Sequence, residues 1–314
     1  MKRKFILLFV VLVLAAICII PVSRQKTVVI KSSFLNVFTQ LQAAKNWKKW
    51  RSDLRKAAEK DSDKIVAKIA SDHFTIDYAD LALIVRSRGS SFDVDEKNKN
   101  ASFKYNLTVL PDKIPTNAII VAENNLPLIK YLFSLFDNSL PEKTHITDLK
   151  NYLETDSLHY GYAIFKSRVQ GTKLIVMRKT VKAENQFTEA IKMQLELNQF
   201  AKTHDIKKMK PVMAQFIVSD KDSVQLTIGF YIDKIIKGEK DINFEQMPKN
   251  GPGYSVKFSG KFNKRLQIYS AIRAYFADHS IQQAILPFDM YLDDKLPTSD
   301  TSKVNIQSTI ATFY

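Results

Sequence analysis

The residues best suited to catalysis are few in this chain and lie far apart. Its five histidines are widely separated: His73, His145, His159, His204 and His279. None has the spacing that brings two imidazoles onto one zinc ion. Asp72 and His73 join an acid to a base, but consecutive strand residues point to opposite faces of a sheet. There is no glycine-rich phosphate loop and no Gly-x-Ser-x-Gly turn. The sequence therefore predicts no catalytic residues, no metal site and no cofactor.

Aromatic side chains are the other candidates, because they could bind an apolar ligand. Those expected on strands and on one helix of the second half, with one carboxylate, form the candidate ligand-binding set: Phe216, Phe230, Tyr254, Phe258, Tyr269, Asp289, Tyr291 and Phe313. Aromatics on a half-buried sheet are equally typical of a sheet–helix core, so both interpretations stay open for each of them. Asp289 stands near a turn, where a carboxylate is commonly solvated.

The elements that position these residues are most distinct near the end of the chain. Residues Tyr254–Phe258 alternate apolar and polar, which is typical of a strand with one buried face. Gly260 supplies a turn, and the pattern predicts a helix over Lys264–Asp278 with an apolar stripe. Pro287 ends the next connection and opens another strand, which runs to Tyr291.

This order of elements has an earlier counterpart, offset by about 80 residues. The first copy is predicted as strand, helix, strand and strand at Thr172–Thr180, Asn185–Thr203, Pro211–Phe216 and Ser223–Asp233. The second copy is predicted at Gly253–Phe258, Lys264–Asp278, Phe288–Leu292 and Val304–Phe313. Two such units side by side predict one antiparallel sheet with both helices on one face. The other face is then free to form a concave pocket.

The later unit resembles the second half of a GyrI-like effector-binding domain, the small-molecule-sensing module of some multidrug-responsive regulators. The matching features are a short strand, the turn Phe258-Ser-Gly260, a helix bearing Tyr269, and the strand Pro287-Phe-Asp-Met-Tyr291. The resemblance implies a GyrI-like domain over residues 157–314. Many members carry a buried Glu shortly before a Tyr/Phe-Tyr-Pro ending, where it contacts cationic ligands. Ala311 stands at that position here, so the resemblance does not imply a preference for cations.

The first half has a different opening. Lys26–Lys31 is strand-like, Ser33 can cap a short helix that carries Val37 and Phe38, and Asn46-Trp47-Lys-Lys-Trp50 follows. This order resembles the start of the SRPBCC (START-like, polyketide-cyclase-like) helix-grip fold. The resemblance implies a curved antiparallel sheet over residues 26–155, crossed by a long helix that encloses an apolar cavity. The two tryptophans either pack beneath the sheet or line that cavity.

The rest of this half is compatible with such a sheet. Six further strands are predicted, at Lys64–Ile69, Phe74–Tyr78, Leu81–Arg86, Ser91–Val94, Ala101–Leu110 and Thr116–Ala122. Two helices are predicted after them, over Leu126–Phe136 and Ile146–Leu153. The family ends in one long helix, so this division leaves the shape of the cavity open.

The amino terminus predicts a membrane anchor. Residues 1–4 are basic apart from the methionine, and Phe5–Val22 contains eighteen residues without a charge. That length just crosses about 30 Å of hydrocarbon as a helix. A cleaved signal peptide ending at Ala15 and a segment with no membrane role are the alternatives. We therefore expect a single-pass protein with a cytoplasmic amino terminus and its domains outside the cytoplasm, although basic residues also follow the segment.

The net charge of +15 arises from 47 basic and 32 acidic residues. Nucleic-acid-binding proteins cluster their basic residues with aromatics or on a groove-reading helix. Here they are scattered, and no helix-turn-helix precedes the GyrI-like part. The charge therefore favours a membrane surface as partner and argues against nucleic acid.

Taken together, the sequence predicts an α+β fold: an N-terminal transmembrane helix, a helix-grip-like antiparallel sheet domain and a duplicated strand-helix-strand-strand domain. The function predicted is binding of a small apolar or amphipathic molecule without catalysis, by a membrane-anchored protein. A hydrolase or cyclase acting on a hydrophobic substrate and a protein-interaction module are the alternatives. A polar pair inside a cavity would favour the enzyme, and an open apolar groove would favour the interaction module. The ligand and any protein partner are not predicted.

Overall fold

The chain forms two compact units, Met1–His159 and Tyr160–Tyr314. The computed structural model describes residues 20–99, 101–129, 141–168, 173–209, 211–220, 222–247 and 250–313. Both units are α+β, and each has an antiparallel sheet of its own.

The first unit contains a seven-stranded antiparallel sheet. Its strands are β1 Pro21–Ile30, β2 Val66–Ile69, β3 His73–Tyr78, β4 Leu81–Arg88, β5 Ser91–Asn98, β6 Ala101–Pro111 and β7 Ala118–Pro127. The spatial order is β1-β7-β6-β5-β4-β3-β2, so that β2 to β7 form a meander and β1 pairs with the last strand. The turns are short, which suits a meander because antiparallel neighbours need only a tight connection.

Helices cover one face of this sheet. They are α1 Phe34–Gln42, α2 Ala44–Trp50, α3 Ser52–Asp61, α4 Pro141–Glu154 and α5 Asp156–His159. Ser33 caps α1, since its hydroxyl oxygen accepts a hydrogen bond from the Asn36 backbone N–H at 3.3 Å.

Both tryptophans belong to the core of the first unit. Trp47 and Trp50 are almost completely buried, and their ring centroids are 4.6 Å apart. Each indole N–H donates to a backbone carbonyl, Trp47 to Leu41 at 2.8 Å and Trp50 to Gln40 at 3.2 Å. These bonds satisfy the polar edge of a ring that is otherwise packed against apolar neighbours.

One predicted helix of this unit differs in the structure. Leu126, expected to begin a helix, lies in β7 and pairs with Val22. The difference has a physical cause: β1 reaches as far as Pro21 and supplies β7 with a hydrogen-bonding partner up to Pro127. The later part of that predicted helix, residues 130–136, lies outside the described residues.

The predicted membrane anchor is contradicted. Pro21 and Val22, the end of the predicted span, form the start of β1 and pair with Pro127 and Leu126. Within the described part of the chain, no helix combines the length and the apolar character needed to cross a bilayer. The rest of the predicted span, residues 5–19, lies outside that part. The transmembrane helix in the predicted fold class and the predicted single-pass, extracytoplasmic location are corrected accordingly.

The second unit contains an eight-stranded antiparallel sheet and two long helices. The strands are β8 Phe165–Arg168, β9 Lys173–Lys182, β10 Met213–Asp220, β11 Ser223–Tyr231, β12 Ile242–Gln246, β13 Pro252–Lys261, β14 Phe288–Tyr291 and β15 Lys303–Ala311. The helices are α6 Gln186–Thr203 and α7 Arg265–Asp278. The spatial order of the strands is β12-β9-β11-β10-β14-β15-β13-β8.

This order contains the same motif twice. The elements β9-α6-β10-β11 and β13-α7-β14-β15 follow each other in the same sequence, and β10 pairs with β14 where the two copies meet. Only two residue pairs join them there, Met213 with Met290 and Ala214 with Asp289. The strands β12 and β8 extend the two outer edges of the sheet.

The two helices pack on the same face of this sheet. Leu197 of α6 and Ile272 of α7 belong to one apolar cluster with strand residues such as Ile228 and Ile306. A second, smaller apolar cluster is formed by strand residues that alternate with those of the main core: Leu174, Val176, Met213, Tyr231 and Phe288. Because neighbouring strand residues point to opposite faces, this second cluster lies on the face away from the helices.

Candidate ligand-binding site

The helix-free face of the second sheet carries a groove. In an antiparallel pair, residues directly opposite each other share a face of the sheet. Ser255 lies opposite Thr309, and Lys257 lies opposite Gln307. Met290 of β14 also lies opposite Gln307, so that three strands contribute to one surface. The groove over this surface has a volume of about 1150 Å³, which is large enough for a small molecule.

The groove has an apolar part and a polar part. Its large apolar side chains are Phe165, Tyr231, Phe288, Met290 and Phe313. Tyr231 and Phe288 also belong to the small apolar cluster, whose members are almost fully buried although α6 and α7 pack on the opposite face of the sheet. Met247 and Met290 are the partly buried residues that pack against this cluster.

A chain of hydroxyl groups forms the polar part. Ser255 Oγ donates to Ser167 Oγ at 2.8 Å. Since Ser255 has only one hydroxyl proton, Thr309 Oγ1, also at 2.8 Å, must donate to it. Gln307 Nε2 donates to the same oxygen at 3.2 Å. The hydroxyl proton of Ser167 is not used in this chain of hydrogen bonds, so it can be donated to a ligand.

The structure places the eight predicted ligand-binding residues on both faces of the sheet. Phe313 lines the groove and is 64% exposed. Tyr254 borders the groove, but its ring packs against Tyr275 and Phe276 of α7 on the helix side. The others lie on the helix side: Phe216, Phe230 and Tyr291 in the main core, Phe258 packed against it, and Tyr269 bonded to Asp289. Whether any of them contacts a ligand stays a prediction.

The groove residues that the sequence analysis missed are direct neighbours of predicted ones. Tyr231 follows Phe230, and Phe288 and Met290 flank Asp289. A difference of one position along a strand moves a side chain to the other face. The alternation of strand side chains between the two faces of the sheet would have identified these residues, once the face covered by the helices is known.

Asp289 is buried, and three neighbours surround its carboxylate on the helix side. Tyr269 Oη donates to Oδ2 and Ser308 Oγ donates to Oδ1, each at 2.6 Å. Arg265 Nε lies 3.7 Å from Oδ2. Burial raises the pKa of Asp289 above its usual value, while the hydrogen bonds from Ser308 and Tyr269 and the charge of Arg265 act against that shift. This cluster joins α7 to β14 and β15 and differs from the solvated carboxylate that the sequence suggests.

The first unit contains a second buried cluster, centred on Arg51. The Arg51 guanidinium donates to Asp53 at 2.6 and 2.9 Å and to Glu96 at 3.1 Å. Tyr105 Oη lies 2.7 Å from His145 Nδ1, which is 3.5 Å from Glu96. These buried polar groups therefore find their hydrogen-bonding partners within the cluster, as buried polar groups usually do.

Burial sets the protonation states in this Arg51 cluster. It lowers the pKa of His145 well below the usual 6.5, and the nearby Arg51 charge lowers it further. The imidazole is therefore neutral at physiological pH. Burial raises the pKa of Glu96, although the charge of Arg51 and its hydrogen bond oppose the shift. Burial also lowers the pKa of Arg51, but Asp53 and Glu96 outweigh it, so the guanidinium stays charged.

Among the residues that the structure describes, no three His, Cys, Asp or Glu side chains lie close enough together to hold a metal ion.

No protein-family model matches the chain, and no curated protein matches it. Solved structures with some similarity include the C-terminal domain of EcmrR, which is 14% identical to this chain. That match covers 48% of this chain and 98% of the EcmrR domain, at a TM-score of 0.40. Two di-domain ARO/CYC proteins, BexL from the BE-7585A biosynthetic pathway and StfQ from the steffimycin pathway, are 7% and 10% identical. Each match covers 93% of this chain and 85% of the other at a TM-score of 0.32. Similarities at this level assign neither a family nor an activity.

Proposed function

We propose that the second unit binds a small apolar or amphipathic molecule in its groove without transforming it. The observation that carries the proposal is the apolar cluster on the helix-free face, next to an open groove of about 1150 Å³. Ligand sites are typically concave, mostly apolar and supplied with a few polar groups that orient the ligand. The apolar cluster and the Ser167–Ser255–Thr309 hydroxyl chain match both requirements.

The groove lining favours binding over catalysis. Its described polar groups are hydroxyls, amides, ammonium groups and one guanidinium, with no carboxylate, imidazole or thiol among the described lining residues. General acid–base catalysis most often uses an imidazole or a carboxylate within hydrogen-bonding distance of the substrate. The Tyr105–His145 pair that could serve an enzyme belongs to the first unit and is used in the Arg51 cluster.

The test is a fluorescence titration of the full chain with N-phenyl-1-naphthylamine, a neutral apolar probe. In a Gln307→Trp variant the new ring would occupy the groove, because Gln307 is only partly buried and lines it. We expect saturable binding to the native chain and affinity lower by roughly tenfold or more in Gln307→Trp.

Asn305→Trp is the matched control for this test. Asn305 lies on the same strand and the same face, two residues from Gln307, and it is exposed outside the groove lining. Its variant is expected to bind the probe like the native chain. Equal affinity in Gln307→Trp and Asn305→Trp, or the lack of saturable binding to the native chain, would refute the proposal.

A further inference from the structure

Two hydroxyl groups of the groove lie in a row between two phenyl rings. On the face away from the helices, Ser255 of β13 lies opposite Thr309 of β15. Phe165 of β8 lies opposite Ser255, and Phe288 of β14 lies opposite Thr309. The row crosses four neighbouring strands, so the Cα atoms of the two phenylalanines are about 14 Å apart, at roughly 4.8 Å per strand. A polar strip in the groove therefore has an apolar side chain at each end.

One hydroxyl at the edge of this strip has a proton to donate. Ser255 is fully buried, and its oxygen already takes part in three hydrogen bonds. Ser167 accepts the Ser255 proton, and its own proton has no acceptor among the described residues. Gly253 lies opposite Ser167 and has no side chain that could cover this hydroxyl. Because Ser167 is partly buried and lines the groove, its proton is directed to a ligand site and not into the core.

Little charge accompanies this donor on the same face. Lys166 borders the groove, but it lies opposite Tyr254 on the helix side of the sheet, and Arg168 has the same orientation two residues later. Lys257 does share the groove face, but it is exposed, so an ion pair with it would add little. A neutral acceptor is therefore a sufficient match for Ser167.

We infer that the groove selects a neutral molecule with a hydrogen-bond acceptor, such as a ketone or amide carbonyl, between two apolar parts. This inference rests on the proposed function of the same groove and adds the polar group that its ligand carries. The carbonyl oxygen accepts from Ser167 Oγ, and the apolar parts cover Phe165 and Phe288. A ligand without an acceptor covers the Ser167 hydroxyl and leaves its proton unpaired, which costs free energy. Ser167 thus distinguishes between ligands of similar shape and apolar area.

Two neutral ligands that differ in one acceptor test this inference on the full chain. They are benzophenone, in which a carbonyl joins two phenyl rings, and diphenylmethane, in which a methylene group takes its place. Displacement of bound N-phenyl-1-naphthylamine gives the dissociation constant of each. In Ser167→Ala we expect benzophenone to bind about fivefold more weakly than to the native chain, the effect of losing one neutral hydrogen bond. Diphenylmethane should bind to Ser167→Ala as tightly as to the native chain, or up to about twofold more tightly, because it then covers no unpaired proton.

Two further variants separate the hydroxyl from a general change in the groove. Ser167→Thr keeps the hydroxyl and should bind both ligands within about twofold of the native chain. Ser259→Ala removes a hydroxyl from the same face of β13, at an exposed position outside the groove lining. It should bind both ligands like the native chain.

The outcomes separate the two levels of the proposal. If Gln307→Trp abolishes probe binding while Ser167→Ala binds benzophenone like the native chain, the groove binds ligands but does not select an acceptor. The inference is also overturned if benzophenone does not displace the probe, if Ser167→Ala weakens both ligands equally, or if Ser167→Thr or Ser259→Ala loses as much affinity for benzophenone as Ser167→Ala. If the probe shows no binding that Gln307→Trp abolishes, the proposed function fails, and the preference for an acceptor fails with it.

Discussion

Arg51 shows what a single buried charge contributes to the first unit. Its side chain is 1% exposed and lies between Asp53, which is half exposed, and Glu96, which is buried. A buried ion pair adds little net stability, because desolvation offsets much of the attraction. Removing one partner is costly, however, because the other charge then remains buried without compensation.

We predict that Arg51→Gln lowers the free energy of unfolding by about 3–5 kcal/mol, since Glu96 loses its counter-charge. Urea denaturation followed by tryptophan fluorescence measures this change, because Trp47 and Trp50 lie in the same core. A matched substitution at a more exposed pair, Arg86→Gln beside the half-buried Asp95, should cost far less.

The double variant Arg51→Gln/Glu96→Gln tests whether the uncompensated Glu96 carboxylate causes the loss of stability in Arg51→Gln. It removes both charges, so it should recover most of the stability that Arg51→Gln loses. If the double variant is as unstable as the single one, packing of the guanidinium and not the uncompensated carboxylate explains the loss.

His145 predicts an acid-sensitive first unit. Burial and the charge of Arg51 hold the pKa of His145 below 6.5 in the folded state, so the unfolded chain takes up a proton first as the pH falls. Its contribution to stability is therefore present above pH 6.5 and is lost as the pH decreases toward the folded pKa. One proton corresponds to a slope of at most about 1.4 kcal/mol per pH unit.

Glu96 acts in the opposite direction and at lower pH. Burial raises its pKa above 4.5, so its contribution is present below pH 4.5 and is lost as the pH rises through the folded pKa. Denaturation at a series of pH values should show a decrease in stability below pH 6.5 for the native chain and a flatter profile for His145→Gln. An unchanged slope in His145→Gln would contradict this account.

At the level of elements, β11 depends on a glycine because the neighbouring strand approaches it closely. A Cβ built at Gly229 would lie 2.6 Å from the Ile175 carbonyl oxygen and 2.7 Å from Val176 Cγ1. One of these atoms is backbone in β9, so the sheet itself would have to move. At Gly253 the closest atom to such a Cβ is the Ile310 carbonyl oxygen at 3.2 Å.

We therefore predict that Gly229→Ala destabilises the second unit by roughly 1–3 kcal/mol, as overpacking in a core does. Without this contact, alanine would be favoured over glycine in a strand by about 0.5–1 kcal/mol. Gly253→Ala makes the same chemical change in the same sheet and should cost clearly less. Thermal unfolding of both variants measures these changes in stability. A Gly229→Ala chain more stable than the native one would contradict the close approach of β9 to Gly229.

Most of the strands and helices of the second unit could be predicted from the sequence, but the sequence did not show which face of the sheet each strand side chain occupies. Alternation at Tyr254–Phe258 identifies a strand, but the pattern does not say which of its two faces the helices cover. The same ambiguity separates Phe230 from Tyr231. The strand conformation of Val22 and of Leu126 comes from their pairing with each other across about 100 residues of sequence. The local pattern of apolar residues carries no information about such a long-range partner.

At the level of the whole molecule, the duplication indicated a concave surface, but its chemistry depended on details that duplication does not determine. Lys257 and Gln307 become neighbours only through the register of β13 and β15, 50 residues apart in sequence at that pair. Composition alone, with a net charge of +15, does not place Lys257 beside Gln307 on the helix-free face.

The division into two units predicts two independently folding pieces. Each unit has its own sheet and its own apolar cluster, and about 155 residues bury enough surface for a stable core. Fragments 1–159 and 160–314 should each unfold cooperatively in urea, and only the second should bind N-phenyl-1-naphthylamine in a manner that Gln307→Trp abolishes. A fragment covering residues 160–247 is the control, because it exposes β10 where the second copy pairs with it and should not fold. Non-cooperative unfolding of 160–314, or probe binding by 1–159 equal to that of the full chain, would contradict this assignment of stability and binding to the separate units.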